Sequence, residues 1–472
     1  MRRPRSLLCL TLAVLLLAGV ACTSARIPPA PAATSTPAGE PVGTLDFTVF
    51  ENAYNLLLNR AVERPAPNTL LNAAWRGLLD EGGKQGLQTA KAAAPALHGD
   101  RTADLAAIED AFGKLKVTRG HTLDTAKINY AAASAMAESL DDSHTTFLSP
   151  DQFATQNRRE AGNLGTTTGI RIERVTERPP LVLEVAPGSA ADRAGLQAGD
   201  SVLAIDGSKI GSFTPREASR ALDGPDGSTL TLDVRRPGRA DRRITITRQT
   251  ISLDLVRSKQ LPGNVGYIRI REFPTQVPIQ LQVKQALGDF DDAQTGGVIV
   301  DLRGNPGGSL GDLQEVLSLF VSQSPLSYLV NPGGSRTMPI PRANERFTFD
   351  QKLVVLVDGG SASSSELFAS AVQQYHDGLI VGAKSCGCLM AAQFFPLADQ
   401  KAGMEVAVQG VLSPVSKQSL EKVGITPDRA VDSDARALAD GRDPQLEAAL
   451  EALGVEAGVA RTANKTLAQA DQ

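Results

Sequence analysis

From Val265 onward, short apolar runs alternate with stretches of helical length, and nothing else in the chain limits its fold so strongly. Gly266-Tyr267-Ile268-Arg269-Ile270, Gly297-Val298-Ile299-Val300-Asp301-Leu302 and Leu353-Val354-Val355-Leu356-Val357 read as strands, separated by Val283 to Phe290, Leu310 to Phe320 and Glu366 to Tyr375. Crossover helices between neighbouring strands imply an α/β core whose sheet is at least partly parallel. In such sheets the loops at the carboxyl ends of strands are where ligands gather. Two of those loops are unusual: Asp301-Leu302-Arg303-Gly304-Asn305-Pro306-Gly307-Gly308 and Asp358-Gly359-Gly360-Ser361-Ala362-Ser363-Ser364-Ser365-Glu366.

The second loop puts small hydroxyl residues between a buried strand and a helix, where helix N–H groups stabilise developing negative charge. Alone, it reads more readily as a serine-rich helix cap. The paired glycines of the first loop let backbone N–H groups approach a substrate closely, as an oxyanion site requires. Together the two loops favour acyl-transfer chemistry on a serine over two ordinary turns.

The whole chain of 472 residues, 42% hydrophobic, leaves room for two or three cores. Residues 45–162 look helical: Phe47, Phe50, Tyr54, Leu57 and Leu58 recur at helical spacing, and Asn68 is a candidate cap for a second helix through Trp75 and Leu79. Residues 163–250 are β-rich, with short runs such as Leu181 to Val185 and Leu230 to Val234 between Gly and Pro turns. Residues 251–435 form the α/β core, and 436–472 a C-terminal helix and tail. Lys and Arg number 48 against 52 Asp and Glu, for a net charge of −4 without a basic block, and aromatics are 4%. That balance excludes the electrostatic footprint and the stacking surface of a nucleic-acid binder.

Met1-Arg2-Arg3-Pro4-Arg5 followed by apolar Leu7 to Leu17 reads as a signal peptide over residues 1–21. Leu17-Ala18-Gly19-Val20-Ala21-Cys22 resembles a lipobox, with Gly19 where Leu is usual, which marks Cys22 for lipidation. Residues 22–44, rich in Pro, Ala, Ser and Thr, read as an extended tether. These features place the body of the protein outside the cytoplasmic membrane, anchored as a lipoprotein or, alternatively, secreted or periplasmic.

Pro187-Gly188-Ser189 through Ile205-Asp206-Gly207 resembles a PDZ domain. The order of Gly-Tyr-Ile-Arg-Ile, Asp-Leu-Arg-x-Asn-Pro-Gly-Gly, Gly-Ser-Ala-Ser-x-Ser-Glu and Gly424-Ile425-Thr426-Pro427-Asp428 resembles the tail-specific, or C-terminal processing, serine peptidases over about Gly165 to Leu453. The resemblance implies a crotonase-like core with an inserted PDZ domain and no cofactor or metal. It implies Ser363 as nucleophile, with the N–H groups of Gly308 (or Gly307) and Ser364 as oxyanion donors. For the PDZ module it implies a carboxylate loop ending at Gly169, with Ile170 and Ile172 meeting a peptide opposite a helix containing Ala218 and Leu222. Partners would be protein or peptide substrates with exposed C-termini.

The family's general base is a lysine 25 residues after the nucleophile, and that place holds Cys388. Lys384 sits at an earlier, non-catalytic position. Asp142-Ser143-His144 resembles instead the Ser-His segment of tricorn-like relatives, in which a Ser and a Glu orient a histidine base; Glu421 matches that Glu. The candidate set is Ser363, His144, Ser143 and Glu421, with an inactive tail-binding PDZ scaffold as the alternative. His98, His121 and His376 sit in no motif. Cys386-Gly387-Cys388 reads as free or oxidised thiols, or as half a metal site.

Overall fold

The computed structural model describes residues 40–469 apart from 43–44, 119, 161–165, 174–178, 211–220, 223–225, 251–253, 276, 335–336 and 344–349. The signal segment, Cys22 and Ala218 lie outside the described residues. Four helices open the chain: α1 (Thr48–Arg60), α2 (Pro67–Lys84), α3 (Arg101–Gly113) and α4 (Thr125–Glu138). Helix α2 begins one residue before the expected cap Asn68. Pro67 occupies its first turn, where a missing N–H costs nothing, and Ala66 stands at the cap without a side-chain bond. Asp100 and Asp124 cap α3 and α4, each accepting a backbone N–H.

Phe50, Tyr54, Leu57, Leu70, Leu78, Phe112 and Met136 of these helices are buried together with Leu397, Met404 and Val406 of the peptidase body, so the helical region shares a core with it. Glu51 on α1 faces Glu109 on α3, and burial together with that neighbour pushes the Glu109 carboxyl up to about 7. A carboxyl raised in the fold contributes stability that is present at low pH and lost as pH rises through its folded value. The melting temperature is therefore expected to decline between about pH 4.5 and about pH 7, the ordinary and the folded values of this carboxyl, and Glu109→Gln to flatten that slope in thermal unfolding.

After α4, Thr146–Leu148 forms strand β1. The β-rich module contains β2 (Ile170–Ile172), β3 (Val182–Val185), β4 (Ser201–Ile205), β5 (Thr229–Arg235) and β6 (Arg242–Thr247). The alternating burial of Leu230, Leu232 and Val234 fills its small core against Ile172, Ala191, Leu196, Val202 and Ile246.

The main sheet orders β7 (Val256–Leu261), β8 (Val265–Ile270), β9 (Gly297–Asp301), β10 (Lys352–Val357), β11 (Leu379–Gly382) and a short last strand, Arg429–Ala430. Only the β7–β8 pair is antiparallel; β8 to β9, β9 to β10, β10 to β11 and the last pairing are parallel, as the alternation implies. Continuous apolar strands suit a parallel sheet covered on both faces. Helices Ile279–Asp292, Leu310–Leu317 and Ser364–Tyr375 pack on one face, and Pro444–Ala452 with Ala457–Gln469 on the other. A second sheet contains Ser327–Val330, Met390–Pro396 and Gly403–Leu412; β1 pairs with Gly403–Leu412 and so carries the preceding residues, 142–145, toward the peptidase core.

Candidate active site

Ser363 ends the loop after β10 and stands at the N-cap of helix Ser364–Tyr375 with φ 52° and ψ −115°. That is the first central position of a type II′ turn, a conformation that glycine tolerates and other residues adopt only when surroundings compel it. The compulsion is visible. The Ser363 N–H donates to the Cys388 carbonyl at 2.8 Å and to Glu366 Oε2 at 3.1 Å. Ala362 N–H donates to the Asn305 carbonyl at 3.0 Å, which also accepts from Ser365 Oγ at 3.0 Å.

Asn305 is wholly buried and organises the glycine loop, donating through Nδ2 to the Ile270 carbonyl at 3.0 Å. Its Oδ1 accepts the Gly307 N–H at 2.8 Å, so of the two expected glycine donors Gly307 is already engaged. The N–H groups of Gly308 and Ser364 have no protein partner among the described residues. Ser364 opens the helix and lacks a carbonyl one turn behind it. Gly307, at φ 98°, would bring a Cβ within 2.7 Å of Ser363 Cβ and 2.9 Å of the Ser364 nitrogen. Gly307→Ala is expected to lower kcat at least about tenfold by displacing Ser363, with little change in KM; steady-state kinetics on a peptide substrate measures it.

The arginine of the Asp-Leu-Arg stretch anchors the same loop. Buried Arg303 pairs with Asp301 at 2.7 Å and reaches Asp443 and Gln445, while Tyr267 donates to Asp301 at 2.8 Å. Burial alone would raise the Asp301 carboxyl, but the Arg303 charge and its hydrogen bonds outweigh it and hold the carboxyl well below the usual range.

A second ion cluster joins the β-rich module to the core. Arg171, between Ile170 and Ile172, reaches Asp358 at 3.3 Å, and Glu184 on β3 pairs with Arg171, Arg269 and Arg271. Burial would push the Glu184 carboxyl up; the three guanidinium groups keep it well below its ordinary value. Asp358 Oδ1 meanwhile accepts the N–H groups of Gly304 and Gly360, each at 2.8 Å, so one buried carboxylate ties both loops to the module.

The other half of the site comes from far away in sequence. Asp142 Oδ1 accepts the His144 N–H at 2.8 Å and the Thr145 N–H, an Asx turn that seats the histidine, itself only 8% exposed. Glu421 accepts the Ser143 N–H at 3.0 Å on Oε1 and, on Oε2, the Ser143 hydroxyl at 3.0 Å and the Leu389 N–H at 2.7 Å. Ser143 Oγ lies 2.7 Å from His144 Nδ1. A serine hydroxyl has one proton; given to the carboxylate, it leaves Oγ to accept from Nδ1–H, and Nε2 is then the nitrogen that carries the ring's lone pair. The Cys388 carbonyl and the Leu389 N–H belong to one peptide unit, which therefore meets both Ser363 and Glu421.

Lys384 is exposed. Cys386 and Cys388 are joined as a disulfide with Cα atoms 5.2 Å apart, which leaves no thiolate for a metal. In the β-rich module, Gly169 has φ 79° and its carbonyl accepts the Ala186 N–H at 2.7 Å. Ile172 and Leu222 are in the module's own core and Ile170 packs against it. Among the described residues β2 pairs only with β3, leaving its other edge without a strand.

Sequence reasoning did not single out Asp142, Asp358, Glu366 or Arg171. Two carried local signals: Asp142 precedes the histidine at Asx-turn spacing, and Glu366 follows Ser363 at capping-box spacing. Asp358 and Arg171 act across 187 residues, and local pattern has no access to that.

A serine held on a compelled helix cap, with loop and helix N–H groups beside it, is an arrangement suited to a serine-type hydrolase. Comparison with known proteins agrees. Residues 264–431 match the model of peptidase family S41 and residues 181–236 that of a PDZ domain. The chain is 34% identical over 333 residues to the carboxyl-terminal-processing protease of Synechocystis sp., covering 69% of this chain and 76% of that one. It is 33% identical over 343 residues to the protein of the same name from Picosynechococcus sp., covering 70% and 80%. A solved photosystem II D1 C-terminal processing protease shares the fold, with a TM-score of 0.59 at 24% identity, covering 89% of this chain and all of that one. The chain belongs to peptidase family S41: it is a PDZ-containing serine-type peptidase.

Proposed function

We propose that this peptidase trims proteins from their C-terminal ends by acyl-enzyme chemistry in which His144, not a lysine, is the base. The observation that carries the reading is Ser143 Oγ lying between Glu421 and His144 Nδ1, which leaves Nε2 as proton acceptor. His144 Nε2 takes the Ser363 proton as Oγ attacks the scissile carbonyl; the N–H groups of Gly308 and Ser364 stabilise the oxyanion. The C–N bond breaks as His144 returns the proton to the leaving amine, and water, deprotonated the same way, hydrolyses the ester. Lys384 is exposed, whereas His144 is buried among these hydrogen bonds.

Substrate tails would add to the open edge of β2, with the carboxylate at the loop ending in Gly169 and an apolar side chain beside Ile170. That edge also carries Arg171, which links it to Asp358 and thus to both catalytic loops. The relatives' names support C-terminal processing. The basic leader, the apolar run and Cys22 support a lipid-anchored protein outside the membrane, with residues 22–44 as tether.

The test is cleavage of an unstructured reporter with an apolar C-terminal tail. Wild type should cut near the tail, and Ser363→Ala and His144→Ala should not. Full activity in His144→Ala would dismiss the histidine base, and equal cleavage of a C-terminally amidated reporter would dismiss tail recognition. Cys22→Ser should move the protein from the membrane fraction to the soluble one.

A further inference from the structure

We propose that the Cys386–Cys388 disulfide is a positioning element that holds the nucleophile and the base in one register. The bridged protein is then the competent enzyme, and reduction by a dithiol turns it down. This rests on the His144-based reading above. The bridged loop is the meeting point of the site. Cys386 N–H donates to the Ser361 carbonyl at 3.0 Å, Gly387 N–H to Glu366 Oε1 at 2.7 Å and Cys388 N–H to Glu366 Oε2 at 2.9 Å. The Cys388 carbonyl accepts the Ser363 N–H at 2.8 Å, and the next N–H, that of Leu389, donates to Glu421 at 2.7 Å.

Between the cysteines stands Gly387 at φ 70°, packed so that a Cβ would come within 3.1 Å of the backbone at Lys422, Val423 and Gly424. Glycine is the residue with the widest backbone freedom. Closing a ring across it fixes the Cα atoms of its two neighbours at 5.2 Å, within the ordinary span of a disulfide. With the ring open, rotation about Gly387 moves the Cys388 carbonyl and the Leu389 N–H together. Ser363 and the Glu421–Ser143–His144 chain then shift at once, where a displacement of about 1 Å can cost about a hundredfold in rate.

Both cysteines are half-buried, so the bridge is open to attack. A thiolate of an external dithiol displaces one bridge sulfur and forms a mixed disulfide; its second thiolate then displaces the other. Two electrons pass to the protein, two protons settle on Cys386 and Cys388, and the reductant leaves as its own disulfide. An external disulfide reverses the exchange.

The experiment compares kcat and KM of the full chain on the tailed reporter before dithiothreitol, after it, and after reoxidation with oxidised glutathione, with thiols counted by alkylation and mass spectrometry. The expected result is a kcat about tenfold or more lower in the reduced form with KM changed less than about twofold, and recovery on reoxidation. Cys386→Ser/Cys388→Ser should match the reduced enzyme and ignore dithiothreitol, while melting as a folded protein. The proposal is overturned if the reduced enzyme, with both thiols alkylated, keeps its kcat, or if the double variant remains dithiol-sensitive. An inert bridged wild type overturns both this and the histidine reading. A bridged wild type that cuts equally well as His144→Ala removes the histidine reading alone, and the kcat comparison still judges the bridge.

Discussion

Glu421→Gln is expected to lower kcat by up to about 10⁴ while leaving the protein folded. In the native site three donors converge on this carboxylate: the N–H and hydroxyl of Ser143 and the N–H of Leu389. An amide has one oxygen and one NH2 group. Whichever way the glutamine turns, its NH2 faces at least one of these donors. Where it faces Ser143 Oγ, it donates to that oxygen, the serine proton turns toward His144 Nδ1, and the imidazole takes the tautomer with its proton on Nε2. That form cannot accept from Ser363. His144→Ala removes the acceptor itself and should cost about 10²–10⁴ in kcat. Ser143→Ala should fall between wild type and Glu421→Gln, because water can replace the lost hydroxyl. Single-turnover kinetics on the tailed reporter separates these variants from any effect on binding.

Glu366→Gln should damage both stability and turnover. This wholly buried carboxylate accepts Ser385 Oγ at 2.6 Å, the N–H groups of Gly387 and Cys388 at 2.7 and 2.9 Å, and that of Ser363 at 3.1 Å. Glutamine fits the space but sets its NH2 against one pair of donors, at about 1–3 kcal/mol for an unmet buried group. Burial pushes the Glu366 carboxyl up, and its four hydrogen bonds only partly pull it back. Its folded value lies above its unfolded one, so this group's contribution to stability is present below the unfolded value and lost as pH rises through the folded one. Urea titrations across the acid range should show that slope in wild type and not in Glu366→Gln. A variant equal to wild type in both midpoint and kcat would remove Glu366 from any organising role.

The two loops that bring Ser363 beside Gly307 were legible because both are local patterns tied to strand ends, where repeated apolar runs announce a parallel sheet. Glu366 was half legible, since Ser363 and Glu366 stand at capping-box spacing; its bonds to the 385–388 turn were not. The cap of α2 shows the opposite case. Asn68 has the right chemistry, yet Pro67 fixes φ for the first helical residue and moves the start forward.

Local order along the chain, then, determined the α/β core, the inserted PDZ domain and the serine-bearing helix cap at Ser363. Residue identity and short spacing carry that information, because strands, caps and turns are set by near neighbours. The tertiary structure alone decided which carboxylate meets which hydroxyl. Ser143 and Glu421 are 278 residues apart, Arg171 and Asp358 187 apart, and both pairs form only after separate elements have packed. Tautomer and domain coupling depend on single hydrogen bonds between such elements, and a sequence read by periodicity holds no record of them.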